Sequence, residues 1–191
     1  MNPFYILDTV SFSNGVHSSF SCIDCHSYEY ETYPHAGGLK LEPMMTCIDC
    51  HGGDDTYAAY QFDRIEEEFK KSVHFQTSGA QFTCSKCHDQ HSYRPIARNS
   101  ADIDEIVEYS NNMCLSCHDN MMNFQLVSDQ QKPQLVDVHD WLPNQELHFE
   151  RVRCIECHTQ VQDSLLISHN ILSKENATRN CIDCHSSNYM L

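Results

Sequence analysis

The chain is poor in positive charge. Its 191 residues include 12 Lys and Arg against 27 Asp and Glu, a formal net charge of −15. Proteins that bind nucleic acid need basic patches for the phosphates, so this balance argues against a nucleic-acid partner. It also argues against docking on an anionic membrane surface. A field of this sign favours solubility and would steer basic protein partners toward the surface.

Apolar residues are also scarce. Hydrophobic residues make up 40% of the chain, and there is one Trp. No apolar run approaches the roughly 20 residues that a membrane-spanning helix needs. A chain of this composition buries little apolar surface by itself, so we expect metals, covalent links or cofactors to complete its core.

A secretory leader is missing from the N-terminal stretch MNPFYILDTV, which has neither a basic start nor a sustained apolar segment. The chain also stops soon after its last cysteine motif, at Met190-Leu191. We therefore expect either that a leader has been removed or that the chain is one segment of a longer protein.

Cysteine, by contrast, is abundant, and all twelve cysteines fall in one repeated motif, Cys-x-x-Cys-His. The irregular intervals between copies exclude a solenoid of identical repeats. The six copies are Cys22-Cys25-His26, Cys47-Cys50-His51, Cys84-Cys87-His88, Cys114-Cys117-His118, Cys154-Cys157-His158 and Cys181-Cys184-His185.

The motif has a direct chemical interpretation. Two thiols three positions apart lie on one side of a helical turn, where both can bond the vinyl groups of one haem. The following His is then placed under the iron as the proximal ligand, the arrangement typical of c-type haem attachment. Zinc ribbons and disulfides are the alternatives, but neither explains a His after every second Cys. The sequence therefore predicts six covalently bound haem c groups, with His26, His51, His88, His118, His158 and His185 as proximal iron ligands.

Seven further histidines supply candidates for the second axial position. One precedes the first motif, four inter-motif segments hold one each, and the segment before the fifth motif holds two. We predict six distal ligands, with His148 preferred to His139 because its surroundings, LHF, match VHS and VHF elsewhere. Paired methionines are more typical of flexible packing than of ligation. The predicted distal set is His17, His35, His74, His91, His148 and His169, with His139 as the spare.

His91 carries a geometric implication of its own. It stands three residues after His88, so in a helical segment both rings project from the same face. Two such rings cannot bind one iron from opposite sides. We therefore predict that His91 reaches a neighbouring haem, and that at least two haems lie close together.

The expected fold is mainly α with much irregular structure and very little β, organised around a chain of packed haems. Apolar periodicity predicts helices at 61–71, 100–113 and 161–172, with Ser100 as a candidate N-cap. Residues 128–146, with two prolines, are expected to form a long loop. The chain is interpreted as one domain, 1–191, with two possible lobes, 1–98 for the first three haems and 99–191 for the last three.

The six motifs and the VHS, VHF and LHF histidines resemble the bis-histidine multihaem cytochromes c of respiratory bacteria. The stretches SVHFQTSGAQFTCSKCHDQHSY and LHFERVRCIECHT look like a group in which such a domain feeds a membrane quinol-oxidising cytochrome. The resemblance implies anaerobic respiration, a periplasmic or extracellular location, and redox-protein partners. Relatives that reduce nitrite often carry CxxCK, which is absent here.

The leading hypothesis is therefore an electron-transfer protein without substrate chemistry. Paired histidines imply low reduction potentials and irons with no open position. Electrons would pass from a quinol-side donor to a terminal reductase or an extracellular acceptor. The alternatives are a self-assembling subunit of a cytochrome filament and a multihaem reductase of a small oxyanion or sulfur compound.

Overall fold

The computed structural model describes residues 7–42, 44–160 and 167–186. Within these ranges the chain forms helices, 3₁₀ turns and irregular segments, and no β-strand. The prediction of a mainly α, largely irregular fold is confirmed. The α-helices are α1 Thr9–Ser13, α2 Cys47–His51, α3 Phe62–Lys71, α4 Val73–Ser78, α5 Ile96–Asn99, α6 Ile103–His118, α7 Met121–Gln125, α8 Leu135–Val138, α9 Gln145–Arg151, α10 Cys154–His158 and α11 Ile182–His185.

The two helices predicted from periodicity before the fourth motif are present. The helix predicted at 61–71 is α3, and that predicted at 100–113 is the front of α6, which continues through the fourth motif. The N-cap of α6 is Asp102 rather than Ser100, because the Asp102 carboxylate accepts the backbone N–H groups of Asp104 and Glu105. The Ser100 hydroxyl instead accepts the N–H of Asp102.

Two other local predictions need correction. The first half of the helix predicted at 161–172 lies outside the described residues, and 167–172 is irregular. There the backbone bonds to distant segments, as where Val73 N–H donates to Ile171 O at 2.8 Å. The loop expected at 128–146 contains α8 and the start of α9.

The conventional core is small. Among the described residues, the buried apolar side chains are Leu39, Phe82, Ile96 and Val107. The helices instead surround one connected cavity of about 3370 Å³. The chain therefore wraps a space of cofactor dimensions rather than packing on itself.

Buried polar side chains join the segments around this cavity. Asn111 on α6 donates to the carbonyls of Phe149 and Val152, and accepts the backbone N–H of Cys154 at 2.8 Å. Ser72 is fully buried and caps α4 by accepting the N–H of Phe75. The bond from Val73 to Ile171 connects residues on both sides of the lobe boundary near 98, and the division into lobes stays a prediction.

Candidate haem-binding sites

Each motif forms a short turn, and we number the sites 1 to 6 by motif. In motifs 1 and 2, the acidic residue inside Cys-x-x-Cys closes a capping box. Asp24 accepts the backbone N–H of Ser21 at 2.7 Å, and Asp49 accepts that of Thr46 at 2.6 Å. The sequence signal for these caps, Ser or Thr three residues before Asp, was present in the motif itself. The caps hold both thiols and the following His on one local frame.

Motifs 5 and 6 use other polar pairs at the same position. Arg153 bonds Glu156 across the start of α10, and Asn180 donates to Asp183 at 2.7 Å beside α11. Motif 3 is a 3₁₀ turn without an acidic cap, and motif 4 is the last turn of α6. The Cys-x-x-Cys-His motif is therefore held by different local contacts at different sites.

Every motif histidine faces one histidine from outside the motifs. The separations between ring centroids fall within a narrow range. The pairs are His91 with His26 (5.9 Å), His17 with His51 (6.2 Å), His169 with His88 (6.2 Å), His74 with His118 (6.0 Å), His139 with His158 (6.2 Å) and His148 with His185 (6.1 Å).

These separations fit one metal ion between two rings. An imidazole nitrogen binds a transition metal at about 2.0 Å, and the ring centroid lies roughly 1 Å further back, which puts two opposed centroids about 6 Å apart. Direct contact between the two rings would bring them closer. The pairs therefore leave the space that an iron with two axial histidines requires.

Hydrogen bonds orient several of these rings. A carbonyl oxygen can only accept, so a ring whose Nδ1 contacts one carries its proton there and leaves Nε2 free to bind metal. His139 Nδ1 donates to Leu135 O at 2.8 Å, and His169 Nδ1 to Ile167 O at 3.1 Å. The same contact to a backbone carbonyl is made by His17, His148 and His158.

In two motif rings, the Nδ1 atom is buried without any hydrogen-bond partner. These are the rings of His51 and His88. Burial of an unpaired ring nitrogen is unfavourable. A bond from the opposite nitrogen to iron would compensate for this burial.

The structure exchanges the roles expected of two histidines. His139, predicted to be the spare, lies opposite His158, whereas His35, predicted as a distal ligand, faces no motif ring. The His35 ring is exposed and lies 4.9 Å from the ring of Tyr30, which in turn lies 4.5 Å from that of His26. The ring positions of these two residues therefore differ from the expectation based on local sequence similarity, because the pairing of rings depends on where the chain folds back.

The His91 ring lies away from its own motif histidine, His88, although residues 88–91 are not the helix assumed in the sequence argument. It stacks opposite His26 of the first motif, and His88 faces His169 from a distant segment. Gly15 makes this approach possible, because a Cβ there would lie 2.9 Å from the backbone oxygen of His91. The N-terminal segment and the segment after motif 3 are thereby packed together.

Thiols of successive motifs are neighbours throughout the chain. The Cys47 and Cys84 thiols lie close enough to shift each other's pKa, upward for Cys47 and downward for Cys84, and Cys154 and Cys114 affect each other in the same way. The second cysteines interact electrostatically in the other three junctions, which are Cys25 with Cys50, Cys87 with Cys117, and Cys157 with Cys184. The motifs therefore adjoin in chain order. Motifs 1 and 2, 3 and 4, and 5 and 6 approach through their second cysteines. Motifs 2 and 3, and 4 and 5, approach through their first cysteines.

The volume of the cavity also fits the cofactor. The cysteines and histidines of the first five motifs all line its wall. Shared among five sites, the volume is about 670 Å³ each, within the range of pockets for one cofactor. Site 6 differs, since Cys181, Cys184 and His185 are exposed.

Burial changes the proton affinity of the central histidines. It lowers the pKa of His74 to about 4, with a smaller contribution from His118, and it lowers that of His88 to about 4, with a contribution from His169. The pKa of His169 is also lowered, again mainly by burial. These rings are therefore neutral near pH 7, as metal ligation requires.

Two buried charged residues beside sites 3 and 4 were not found from the sequence. Glu68 accepts the backbone N–H of His169 at 2.9 Å and pairs with Arg64 at 2.9 Å. Lys132 donates from Nζ to the backbone oxygen of His118 at 3.0 Å. Both lie about 8% exposed. Neither stands in a recognisable motif, and only the fold brings them to these histidines.

One family model matches part of the chain. Residues 15–101 match the family described as cytochrome c3. This match supports a multihaem c-type cytochrome with covalently bound haem c, and the family is one of electron-transfer proteins. It covers the first three motifs. No curated protein and no solved structure gives a significant match to the chain.

The members of that family are typically periplasmic or extracellular. In the described part of the chain, no helix has the length and apolar character needed to cross a membrane.

Proposed function

We propose that the chain is a six-haem cytochrome c that carries electrons along bis-histidine haems arranged in chain order. The observation that carries this proposal is the set of six histidine pairs, all separated by 5.9–6.2 Å. When bound, each haem would supply one iron that accepts and releases one electron.

In this proposal, the twelve cysteines hold the porphyrins and the motif histidines bind the irons from one side. The distal ligands, in order from site 1 to site 6, are His91, His17, His169, His74, His139 and His148. His139 thus replaces His35 in the ligand set. Two imidazoles donate strongly to ferric iron, which favours low reduction potentials.

The path follows from the adjacent thiols. Because the thiols of each motif lie close enough to affect the pKa of those in the next, the cysteines would hold successive haems near one another along the chain. Sites 1 and 6 are then the two ends of the path. An alternating pattern of first-Cys and second-Cys junctions would give two kinds of porphyrin contact in turn.

The pathway we propose is the one suggested by the sequence resemblance. Electrons enter from a quinol-side donor, such as a membrane quinol-oxidising cytochrome, and leave to a terminal reductase or an extracellular acceptor. The protein would be exported, because covalent haem attachment takes place outside the cytoplasm. The strongly acidic surface supports basic redox-protein partners. A reductase would need an open iron position, and each motif histidine has an opposing ring.

The ligand set is tested by a matched pair of alanine variants. In His139→Ala we expect one of six ferric haems to become high-spin, since its iron would lose an axial ligand. In His35→Ala we expect all six to stay low-spin. Electron paramagnetic resonance gives the spin states, and intact mass gives the number of haems on the 22.1 kDa chain. The opposite result in the two variants would overturn this assignment.

A further inference from the structure

A buried positive charge distinguishes site 4 from its neighbour. Lys132 is about 8% exposed, and its Nζ lies 3.0 Å from the backbone oxygen of the motif histidine His118. Among the described residues, no carboxylate oxygen lies within 4.0 Å of that Nζ. Burying an unpaired ammonium group is costly, so its place here calls for a reason.

The position of Lys132 relative to the cavity matters as well. Gln131 and Pro133 on either side of it belong to the cavity wall, whereas Lys132 does not. Its Nζ donates to the backbone of α6 at His118. Asp129, the nearest carboxylate in sequence, is exposed to water, as is Asp119. The ammonium charge therefore acts on site 4 through protein and is poorly screened.

Site 3 has a buried charge too, but a compensated one. Glu68 bonds the backbone N–H of its distal histidine, His169, and pairs with Arg64. The 2.9 Å ion pair balances the Glu68 and Arg64 charges against each other. Sites 3 and 4 adjoin through Cys87 and Cys117. Lys86 in motif 3 is exposed, where water and salt screen its charge, so the two neighbouring sites differ by one buried, uncompensated positive charge.

We propose that Lys132 raises the reduction potential of site 4 above that of site 3, so that an electron is held preferentially in the middle of the path. The inference rests on the proposed ligation of iron by His74 and His118. Reduction adds one negative charge to the iron, and a nearby fixed positive charge favours that state. Lys132 is a positioning residue for charge and touches neither iron nor substrate.

The size of the effect follows from electrostatics. A unit charge at roughly 10 Å in an effective dielectric constant of about 20 changes an equilibrium by on the order of tenfold. We therefore expect Lys132→Gln to lower the ratio of reduced to oxidised iron at site 4 about tenfold at a fixed potential. For a one-electron couple, tenfold corresponds to about 59 mV.

The experiment marks site 4 and then removes the charge. His74→Met should give site 4 a Met-ligated iron, whose optical and paramagnetic signals separate it from five bis-histidine haems. Lys132→Gln, Lys132→Arg and Lys174→Gln are then made in this background, in the full six-haem protein. Lys132→Gln keeps a hydrogen-bond donor for His118 O, Lys132→Arg keeps the charge, and Lys174 is an exposed lysine on the surface. Spectroscopic redox titration reports the midpoint of the marked haem.

The inference is supported if Lys132→Gln lowers that midpoint while Lys132→Arg and Lys174→Gln leave it in place. It is overturned if the marked haem does not respond to Lys132→Gln, or if the Gln and Arg variants shift it equally. A His74→Met protein that carries six haems but lacks the Met-ligated signal overturns the proposed pairing itself, and this inference with it. The two failures are therefore distinguishable.

Discussion

Sites 3 and 4, in the middle of the molecule, differ sharply from site 6 at its end. The central pairs, His88–His169 and His74–His118, lie in the cavity and join segments far apart in sequence. Site 6 is exposed, and its opposing His148 lies on α9, close to the preceding motif. Under the proposed function, the central sites would close the fold as well as bind haem, and exposed site 6 would be the one able to exchange electrons with a partner.

Removing a distal ligand from each region tests most directly whether the central sites and site 6 differ in their contribution to stability. We expect His169→Ala to lower the free energy of unfolding by about 4 kcal/mol, because a buried ligand and its contacts are lost, and His148→Ala by about 1 kcal/mol. Chemical denaturation of the six-haem proteins measures both. Each variant should also show one high-spin haem. Equal losses of stability would contradict the structural role of the central site.

The hydrogen bonds of Asn111 between sites 4 and 5 give the next largest expected effect on stability. Asn111 makes three buried hydrogen bonds, two to carbonyls near α9 and one from the N–H of Cys154. Asn111→Ala leaves those groups unpaired, so we expect a loss of about 3 kcal/mol in unfolding free energy. Asn176→Ala, at an exposed residue with one long hydrogen bond, is the matched control and should change stability by less than about 0.5 kcal/mol. A loss no larger than that of the control would show that Asn111 does not join the two sites.

Acid titration should test the burial of the central histidines without mutation. The folded-state pKa of His74 and His88 is about 4, below the unfolded value of about 6.5. Their contribution to stability is therefore complete above about pH 6.5 and is lost as the pH falls through about 4. We expect the free energy of unfolding to fall across this range. Chemical denaturation at a series of pH values measures it, and a constant value between pH 6.5 and 4 would contradict the burial of two neutral rings.

The smallest expected effect concerns the helix that carries His74. Ser72 caps α4 through the N–H of Phe75 and is fully buried, so Ser72→Ala should cost about 1 kcal/mol. Asp8→Ala removes an exposed cap from α1, far from the central sites, as a comparison. Both should lower the thermal midpoint slightly, but only Ser72→Ala should alter the spectrum of one central haem. If the two variants had the same haem spectrum, the Ser72 cap would have no role in positioning His74.

Local features were the best predicted. The helices α3 and the front of α6 followed from apolar spacing, since Ile65, Phe69, Ile106 and Val107 recur at helical intervals. The segment 167–172 was not predictable in this way, because its backbone bonds to residues such as Val73. The His91 ring faces a motif other than its own although residues 88–91 are not helical, and it is His139 rather than His35 whose ring faces a motif histidine. Similarity of neighbouring residues gives no information on which loop reaches which iron.

The sequence by itself predicted the covalent chemistry from six Cys-x-x-Cys-His motifs, each with its attachment cysteines and proximal ligand within five residues. It determined the negative charge and the shortage of apolar core as well. Only the tertiary structure decided which histidine faces which motif, that the motifs adjoin in chain order, and that Lys132 donates to the backbone of His118. The physical reason is distance along the chain. A haem needs its two thiols and one ligand close in sequence, but its second ligand can come from any segment that folds back to it.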